Sequence, residues 1–223
     1  MSTPQRLAVL ASGRGSNLAA IADACEEGRI PAELAVVISN VKHAGALGEA
    51  QKRGIAAHCI PHRAYTDREA FDHALLQVLA DAEVSFVALA GFMRILTESF
   101  IRQYYGSLLN IHPSVLPKYP GLNTHQRALD SGDRETGATV HFVIPALDAG
   151  PAVLHGRVSI RDDDDALSLA ARVQQLEHRI FPQALAWCLD GTVTLRDGAA
   201  WKNGEPLGEG GIDVTDMDRG AAP

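Results

Sequence analysis

Residues 6–27, with the sequence RLAVLASGRGSNLAAIADACEE, carry the pattern that decides the fold. Residues 6–11 are almost entirely apolar, which predicts a strand buried on both faces. A turn with two glycines follows at 12–17, and helical spacing of apolar residues runs over 18–27. A strand, a tight turn and a helix in this order form the repeating unit of a parallel α/β sheet.

The same alternation continues along the chain. Apolar runs predict further strands over 34–39, 55–60, 84–90, 108–111, 137–143 and 152–160. Helical spacing predicts helices over 44–53, from residue 66 or 67 to about 82, over 124–130, and from the acidic residues 162–165 to 189. A small hairpin is predicted at 193–201. We therefore predict an α/β fold with an open, mostly parallel, Rossmann-like sheet, helices on both of its faces and antiparallel strands towards the C-terminus.

Length and composition are those of one globular domain. The chain has 223 residues, of which 46% are hydrophobic. A chain of this size buries enough surface to fold without a metal or a disulfide. We predict a single domain over 1–207 and a flexible tail over 208–223, where glycine, aspartate and alanine dominate.

Charge and cysteine content exclude several classes of protein. The net charge of −7 argues against a nucleic-acid-binding surface. The three cysteines are far apart and include no C-x-x-C, so neither a disulfide framework nor a zinc site is indicated. We infer a reducing, cytoplasmic compartment. No apolar run approaches about 18 residues and no signal-peptide pattern is present, so no membrane association is expected.

The turn at 12–17, Ser-Gly-Arg-Gly-Ser-Asn, has the composition of an anion cradle. Glycines let backbone N–H groups approach a ligand, and the dipole of the following helix favours phosphate. Leu18 stands where a dinucleotide fingerprint has its third glycine, and no Gly-Lys-Ser/Thr follows, so neither familiar nucleotide motif is present. A plain tight turn is the alternative, although Ser16 and Asn17 exceed what such a turn requires.

A polar pair stands at the end of the strand predicted at 108–111. Asn110 and His112 are two residues apart, so their side chains point to the same face of an extended chain. An amide donor and an imidazole so placed could stabilise and protonate an oxyanion, whereas the alternative is a polar pair that caps the strand. Asp148, in the turn at 145–151, is either an Asx-turn former or a partner for the imidazole, and its spacing does not decide.

Four motifs occur in one order along the chain. They are SGRGSNL at 12–18, AGFMRIL at 90–96, NIHPSVLP at 110–117 and LDAGP at 147–151. Together they resemble the phosphoribosylglycinamide formyltransferase family, folate-dependent enzymes of purine synthesis, over about residues 6–201. The resemblance implies the formyltransferase fold and transfer of a formyl group from 10-formyltetrahydrofolate to the amine of 5'-phosphoribosylglycinamide. A formyltetrahydrofolate deformylase, which shares the central motif, is the alternative.

The resemblance also implies roles for individual residues. It implies three catalytic residues: Asn110, His112 and Asp148. It implies a site for the ribonucleotide substrate at Gly15, Ser16, Asn17, Gln174 and Glu177. It implies a folate pocket formed by Arg68, Met93, Arg94, Ile95, Leu96, Asn110, Ile144, Pro145, Ala146, Leu147 and Asp148. Ala149 departs from the family pattern, because many relatives have a second glycine there.

The resemblance also implies how the chain is divided, how the reaction proceeds and which partners bind. Residues 1–105 form a phosphate-binding half and residues 106–207 a folate-binding and catalytic half. Asn110 and protonated His112 stabilise the oxyanion, and Asp148 accepts a proton through water. The implied co-substrate is 10-formyltetrahydrofolate, no metal is required, the partners are small molecules, and the protein is a monomer or a homodimer.

Overall fold

The computed structural model describes residues 4–214, whose regular structure consists of strands, α-helices and one 3₁₀ turn at His62–Ala64. The strands are β1 (Gln5–Leu10), β2 (Ala32–Ser39), β3 (Ala56–Cys59), β4 (Phe86–Leu89), β5 (Leu108–His112), β6 (Glu135–Phe142), β7 (Ala152–Ser159), β8 (Val193–Arg196), β9 (Ala199–Lys202), β10 (Glu205–Pro206) and β11 (Ile212–Asp213). The helices are α1 (Ser16–Glu26), α2 (Gly45–Lys52), α3 (Arg68–Asp81), α4 (Glu98–Gln103), α5 (Thr124–Asp130) and α6 (Ala166–Leu189).

Eight strands form one sheet in the order β11-β7-β6-β5-β4-β1-β2-β3. The strands from β3 to β5 in this order pair in parallel, whereas β6 is antiparallel to both β5 and β7. A second, antiparallel sheet contains β8, β9 and β10. The predicted mostly parallel sheet with antiparallel strands towards the C-terminus is therefore confirmed.

Both faces of the large sheet are covered by helices. Along β1, Leu7 and Val9 join a core cluster that contains residues of α1, α2 and α6. The alternate residues Ala8 and Leu10 join a second cluster, which contains residues of α3 and α4. Strands that bury both faces have no polar alternation, and this explains the continuous apolar runs in the sequence.

The fold differs from the prediction at β10, which adds a third strand to the predicted hairpin, at α4 and at the C-terminal segment. Helix α4 was not predicted, because its six residues bury only Phe100 and Ile101 and are too few for a helical period to show. The predicted flexible tail is wrong over 208–214, since β11 adds to the sheet beside β7. His155 of β7 holds this segment: its Nδ1 lies 2.8 Å from the carbonyl oxygen of Gly210, and its Nε2 lies 3.2 Å from Asp213 Oδ2. Residues 215–223 of the predicted tail lie outside the described residues.

Across residues 4–214, none of the helices combines the length and the apolar character that a membrane span requires.

Candidate active site

The end of β5 places Asn110 and His112 in the middle of the large sheet. β4 lies on one side of β5 and β6 on the other, where Asn110 is opposite His141 and His112 is opposite Thr139. The side chain of His112 is almost entirely buried, and Asn110 is half-buried. The carboxyl ends of parallel strands are where ligands bind in open α/β sheets, so both side chains lie where the fold favours a site.

The imidazole of His112 has an acceptor at each nitrogen. Its Nε2 lies 2.8 Å from the backbone carbonyl oxygen of Tyr119, and its Nδ1 lies 3.4 Å from Asp148 Oδ2. The same carboxylate oxygen accepts a hydrogen bond of 2.8 Å from the backbone N–H of Gly121. An imidazolium can donate from both nitrogens, and this arrangement offers it a carbonyl on one side and a carboxylate on the other.

The loop between β6 and β7 carries Asp148 to this position. Asp148 has a left-handed backbone with φ of 49°, which aspartate tolerates better than most residues. Gly150 is required two residues later, because a side chain there would collide with the carbonyl oxygen of Phe142. Ala149 is exposed and does not have a positive φ, so the methyl group that replaces the family's glycine has room. The question that spacing left open is therefore answered: Asp148 is a partner of the imidazole.

A second histidine orients the amide of Asn110. Asn110 Nδ2 lies 3.1 Å from His141 Nε2, and His141 Nδ1 lies 2.9 Å from the carbonyl oxygen of Phe142. A carbonyl can only accept, so His141 Nδ1 carries the hydrogen and Nε2 accepts from the amide. Burial lowers the pKa of His141, which favours this neutral ring. Sequence reasoning missed His141, because its position opposite Asn110 depends on the register between β5 and β6.

Two adjoining cavities surround these side chains. The larger has a volume of about 770 Å³, and Asn110, His112 and Asp148 all line it. The predicted folate-pocket residues that also line it are Arg68, Met93, Arg94, Ile95 and Leu147. The smaller, of about 100 Å³, is lined by the remaining predicted ones: Leu96, Ile144, Pro145 and Ala146. The structure thus brings all the residues of the predicted folate pocket to one place, and their binding role stays a prediction.

Residues that the sequence reasoning did not single out complete the larger cavity. They are contributed mainly by the segment that enters α5: Gly121, Leu122, Asn123, Thr124 and His125. Burial lowers the pKa of His125, and the neighbouring His112 lowers it further. The signal that could have found this segment is its position directly after the motif at 110–117.

The glycine turn connects β1 to α1 and packs against the start of α2, where the backbone N–H of Ala46 donates to the carbonyl oxygen of Gly13 over 3.2 Å. Gly15 has a φ of 88°, and a Cβ at this position would lie 2.7 Å from Ala46 Cα, so glycine is required. Asn17 Nδ2 donates to Glu177 Oε2 of α6 over 2.8 Å. Burial raises the pKa of this carboxyl group, although the hydrogen bond from Asn17 opposes the shift. The structure thus joins Asn17 to Glu177, while half-buried Gln174 lies one turn earlier on α6.

Short contacts connect the glycine turn to the larger cavity. The backbone N–H of Ser12 donates to the carbonyl oxygen of Gly91 over 3.1 Å, and the backbone N–H of Met93 donates to Ser12 Oγ over 2.8 Å. Gly91 and Met93 line the larger cavity, whereas residues 15–17 do not line either cavity. A ligand held at the turn would therefore lie beside the wall of the cavity.

The buried cysteines and the possible metal ligands were considered as further reactive groups. Burial is the main factor that raises the pKa of Cys25 to about 11, and burial also raises that of Cys188, so neither thiol ionises readily. Within 4–214 no group of three or more histidine, cysteine, aspartate or glutamate side chains is arranged to hold a metal ion. That the protein needs no metal stays a prediction.

Comparison with known proteins gives concordant results. The formyl transferase family profile matches residues 5–185. The chain is 45% identical over 201 residues to phosphoribosylglycinamide formyltransferase of Escherichia coli K12, covering 90% of this chain and 95% of that one. It superposes on the phosphoribosylglycinamide formyltransferase of Coxiella burnetii with a TM-score of 0.89 and 41% identity, covering 95% of this chain and 99% of that one. A formyltetrahydrofolate deformylase from Pseudomonas syringae superposes with a TM-score of 0.83 and 25% identity, covering 89% of this chain and 66% of that one.

Proposed function

The chain belongs to the formyl transferase family, and we propose that it transfers the formyl group of 10-formyltetrahydrofolate to the amine of 5'-phosphoribosylglycinamide. The products are formylglycinamide ribonucleotide and tetrahydrofolate, as in purine biosynthesis. The observation that carries the proposal is the contact of His112 with Asp148, 3.4 Å apart, at the wall of the larger cavity. That cavity has about 770 Å³, which lies in the range of small-molecule sites.

The first step of the reaction is attack of the substrate amine on the formyl carbon. The carbonyl double bond opens and its oxygen becomes an oxyanion. Asn110 donates an amide hydrogen to this oxygen, and the His141 contact of 3.1 Å keeps the amide from rotating. An imidazolium at His112 places positive charge beside the oxyanion. Loss of one such donor costs on the order of 3 kcal/mol, or a factor of 100 to 1000 in rate.

The second step redistributes one proton. The attacking amine must lose a proton, which the Asp148 carboxylate accepts through a water molecule. The bond between the formyl carbon and N10 of the folate then breaks, and N10 takes a proton from His112. Asp148 returns the first proton to the imidazole, which is close enough for this exchange at 3.4 Å. The enzyme groups thus end in their starting state.

The glycine turn supports the assignment of the acceptor. Backbone N–H groups at the start of α1 are a favourable place for the substrate phosphate. Asn17 and Glu177 lie next to this helix start, with a hydrogen bond of 2.8 Å between them. We assign them, with Gly15, Ser16 and Gln174, to binding of the ribonucleotide. In the deformylase alternative water is the acceptor, so no phosphate-bearing substrate would bind at this turn.

One assay tests the function. The protein is mixed with 10-formyltetrahydrofolate in the presence and absence of 5'-phosphoribosylglycinamide, and loss of the formyl group is followed together with the formylated product. We expect formyl loss that requires the ribonucleotide and matches product formation one to one. Formyl loss at the same rate with water alone would establish the deformylase instead. Activity that persists after dialysis against a chelator is the expected result for a reaction without a metal, and we expect a cytoplasmic enzyme with small-molecule partners.

A further inference from the structure

Residues 91–96, the wall segment, lie between β4 and α4 and form neither a helix nor a strand. All six of them line the larger cavity, the smaller cavity or both. The side chains of Met93 and Ile95 are 61% and 57% exposed, whereas Phe92 and Leu96, near the two ends, are buried. The position of the wall segment therefore depends on contacts near its ends.

Ser12, which follows β1, holds the first part of the wall segment. Its Oγ accepts a hydrogen bond of 2.8 Å from the backbone N–H of Met93 and donates to Oδ1 of Asn40 over 2.6 Å. Asn40, which follows β2, is itself buried. The ends of two neighbouring strands thus fix the backbone at Met93.

Asp72 of α3 holds the other end of the wall segment. Its Oδ2 accepts a hydrogen bond of 2.6 Å from the backbone N–H of Thr97, the residue that directly follows the segment. Among residues 4–214, no hydrogen bond involves the backbone of residues 94–96. The bond from Thr97 to Asp72 is therefore the next contact that fixes the backbone after Met93.

Packing alone does not explain an aspartate at position 72. Asp72 is 2% exposed, and its Oδ1 is buried without a hydrogen-bond partner among residues 4–214. Burial raises the pKa of this carboxyl group, and the hydrogen bonding from Thr97 opposes the shift. An apolar side chain of similar shape would avoid the cost of burying a polar group. The feature that only a side-chain acceptor supplies here is the bond from Thr97.

The helix that carries Asp72 also contributes to the larger cavity. Arg68, one turn before Asp72 on α3, lines this cavity. The ring of Phe71 stacks on that of Phe92, with their centroids 6.4 Å apart. Helix α3 thus contacts the wall segment near its start through Phe71 and at its end through Asp72. The spacing between Arg68 and the wall segment depends on these two contacts.

We propose that Asp72 is a positioning residue for the folate pocket, which holds the end of the wall segment against α3 and so fixes its spacing from Arg68. The proposal rests on the proposed function, because it requires folate in the larger cavity. Asp72 lines neither cavity, so it acts through the backbone of the wall segment and not by contact with the ligand. The ribonucleotide is assigned to the glycine turn, so its affinity should not depend on Asp72.

Separate titrations with tetrahydrofolate and with 5'-phosphoribosylglycinamide, followed by isothermal titration calorimetry, test the proposal. Asp72→Leu keeps the branched shape but removes the acceptor. We expect it to weaken tetrahydrofolate binding about tenfold, as loss of one hydrogen bond to a charged group allows, and to leave the affinity for the ribonucleotide within about twofold. Asp72→Asn keeps an oxygen acceptor and should lose no more than about threefold. Unchanged tetrahydrofolate affinity in Asp72→Leu, an equal loss for both ligands, or an Asp72→Asn variant as weak as Asp72→Leu would overturn the proposal.

A second variant breaks the same hydrogen bond from the other side. Thr97→Pro removes the donating N–H, and the φ of −74° at this residue is one that proline adopts. Thr97→Ala keeps the N–H and removes only the hydroxyl, so it is the matched control. We expect Thr97→Pro to bind tetrahydrofolate about tenfold more weakly than Thr97→Ala, and this comparison decides the question if Asp72→Leu does not fold. Equal affinities in the two variants would overturn the proposal.

The control for packing is Val78→Ala on the same helix. Val78 packs against the core cluster that contains Phe71 and Phe92, and it lines neither cavity. This variant should unfold at lower urea concentration and keep both affinities. A loss of tetrahydrofolate affinity as large as that in Asp72→Leu would show a general loosening of α3 and would overturn the proposal. Because binding is measured and not transfer, an unaltered protein that binds tetrahydrofolate but does not formylate 5'-phosphoribosylglycinamide would reject the proposed function alone.

Discussion

The proposed catalytic centre and the glycine turn both contain buried polar side chains, but their hydrogen-bonding groups are satisfied to different degrees. At the centre both ring nitrogens of His112 have an acceptor, and Asp148 is held by the backbone of Gly121. At the turn, Asn17 Oδ1 is buried and has no hydrogen-bond partner among residues 4–214. Buried polar atoms are normally bonded, so an unpartnered one needs an explanation. Arg94 Nε and His125 Nδ1, on residues that line the larger cavity, are also buried without a partner among residues 4–214. The groups assigned to the reaction are thus held by the protein, whereas unpartnered atoms occur where the substrates are proposed to bind.

The largest effect is expected from variants that break the contact between His112 and Asp148. Asp148→Asn keeps an acceptor for Gly121 but removes the charge beside His112, and His112→Ala removes the imidazole. We expect each to lower kcat at least about 100-fold, with an unchanged circular dichroism spectrum. Turnover near that of the unaltered enzyme in either variant would contradict the roles assigned to this pair.

A smaller effect, on the KM for the ribonucleotide, is expected from a variant of the glycine turn. Asn17→Ala removes the polar contact that is proposed for the ribonucleotide and should raise the KM for this substrate about tenfold, as loss of one hydrogen bond to a charged group allows. The affinity for tetrahydrofolate, measured by calorimetry, should stay within about twofold. Gln51→Ala, which removes an exposed amide on α2, serves as the control and should change neither value. An equal loss of affinity for both substrates would argue against separate sites.

The smallest expected effect concerns the stability of the centre at acidic pH. Burial lowers the pKa of His141, so the folded state disfavours its protonation. A group of this kind contributes stability above its unfolded value, near 6.5, and loses that contribution as the pH falls through its folded value. His141→Gln should therefore lose less stability between pH 7.5 and pH 5.5 than the unaltered protein, as measured by urea unfolding. His125 and His178 also have pKa values lowered by burial, and they act equally in both proteins. If the free energy of unfolding falls equally with pH in both proteins, His141 is not held neutral in the folded state.

The features of the fold and the site that could be predicted are those whose sequence pattern lies within one short segment. The strands were predictable because buried parallel strands are continuous apolar runs, and Asn110 and His112 because two-residue spacing places them on one face. The contact between His112 and Asp148 spans 36 residues and depends on the β6–β7 loop, so spacing alone could not decide it. His141 was missed because the antiparallel register of β5 and β6 is invisible in either strand by itself. The segment 208–214 was misjudged because its order comes from β7 and not from its own composition.

The short strand β11 has a consequence for the solution behaviour of the protein. It occupies the edge of β7 at Leu154 and His155, where backbone groups would otherwise be free to pair with another molecule. Asp213 lies 3.2 Å from His155 and 3.5 Å from Arg157, so its carboxylate ties β11 to β7. A chain shortened after Gly208 would expose an open ladder of hydrogen-bonding groups, and we expect it to aggregate on concentration while its catalytic centre stays intact.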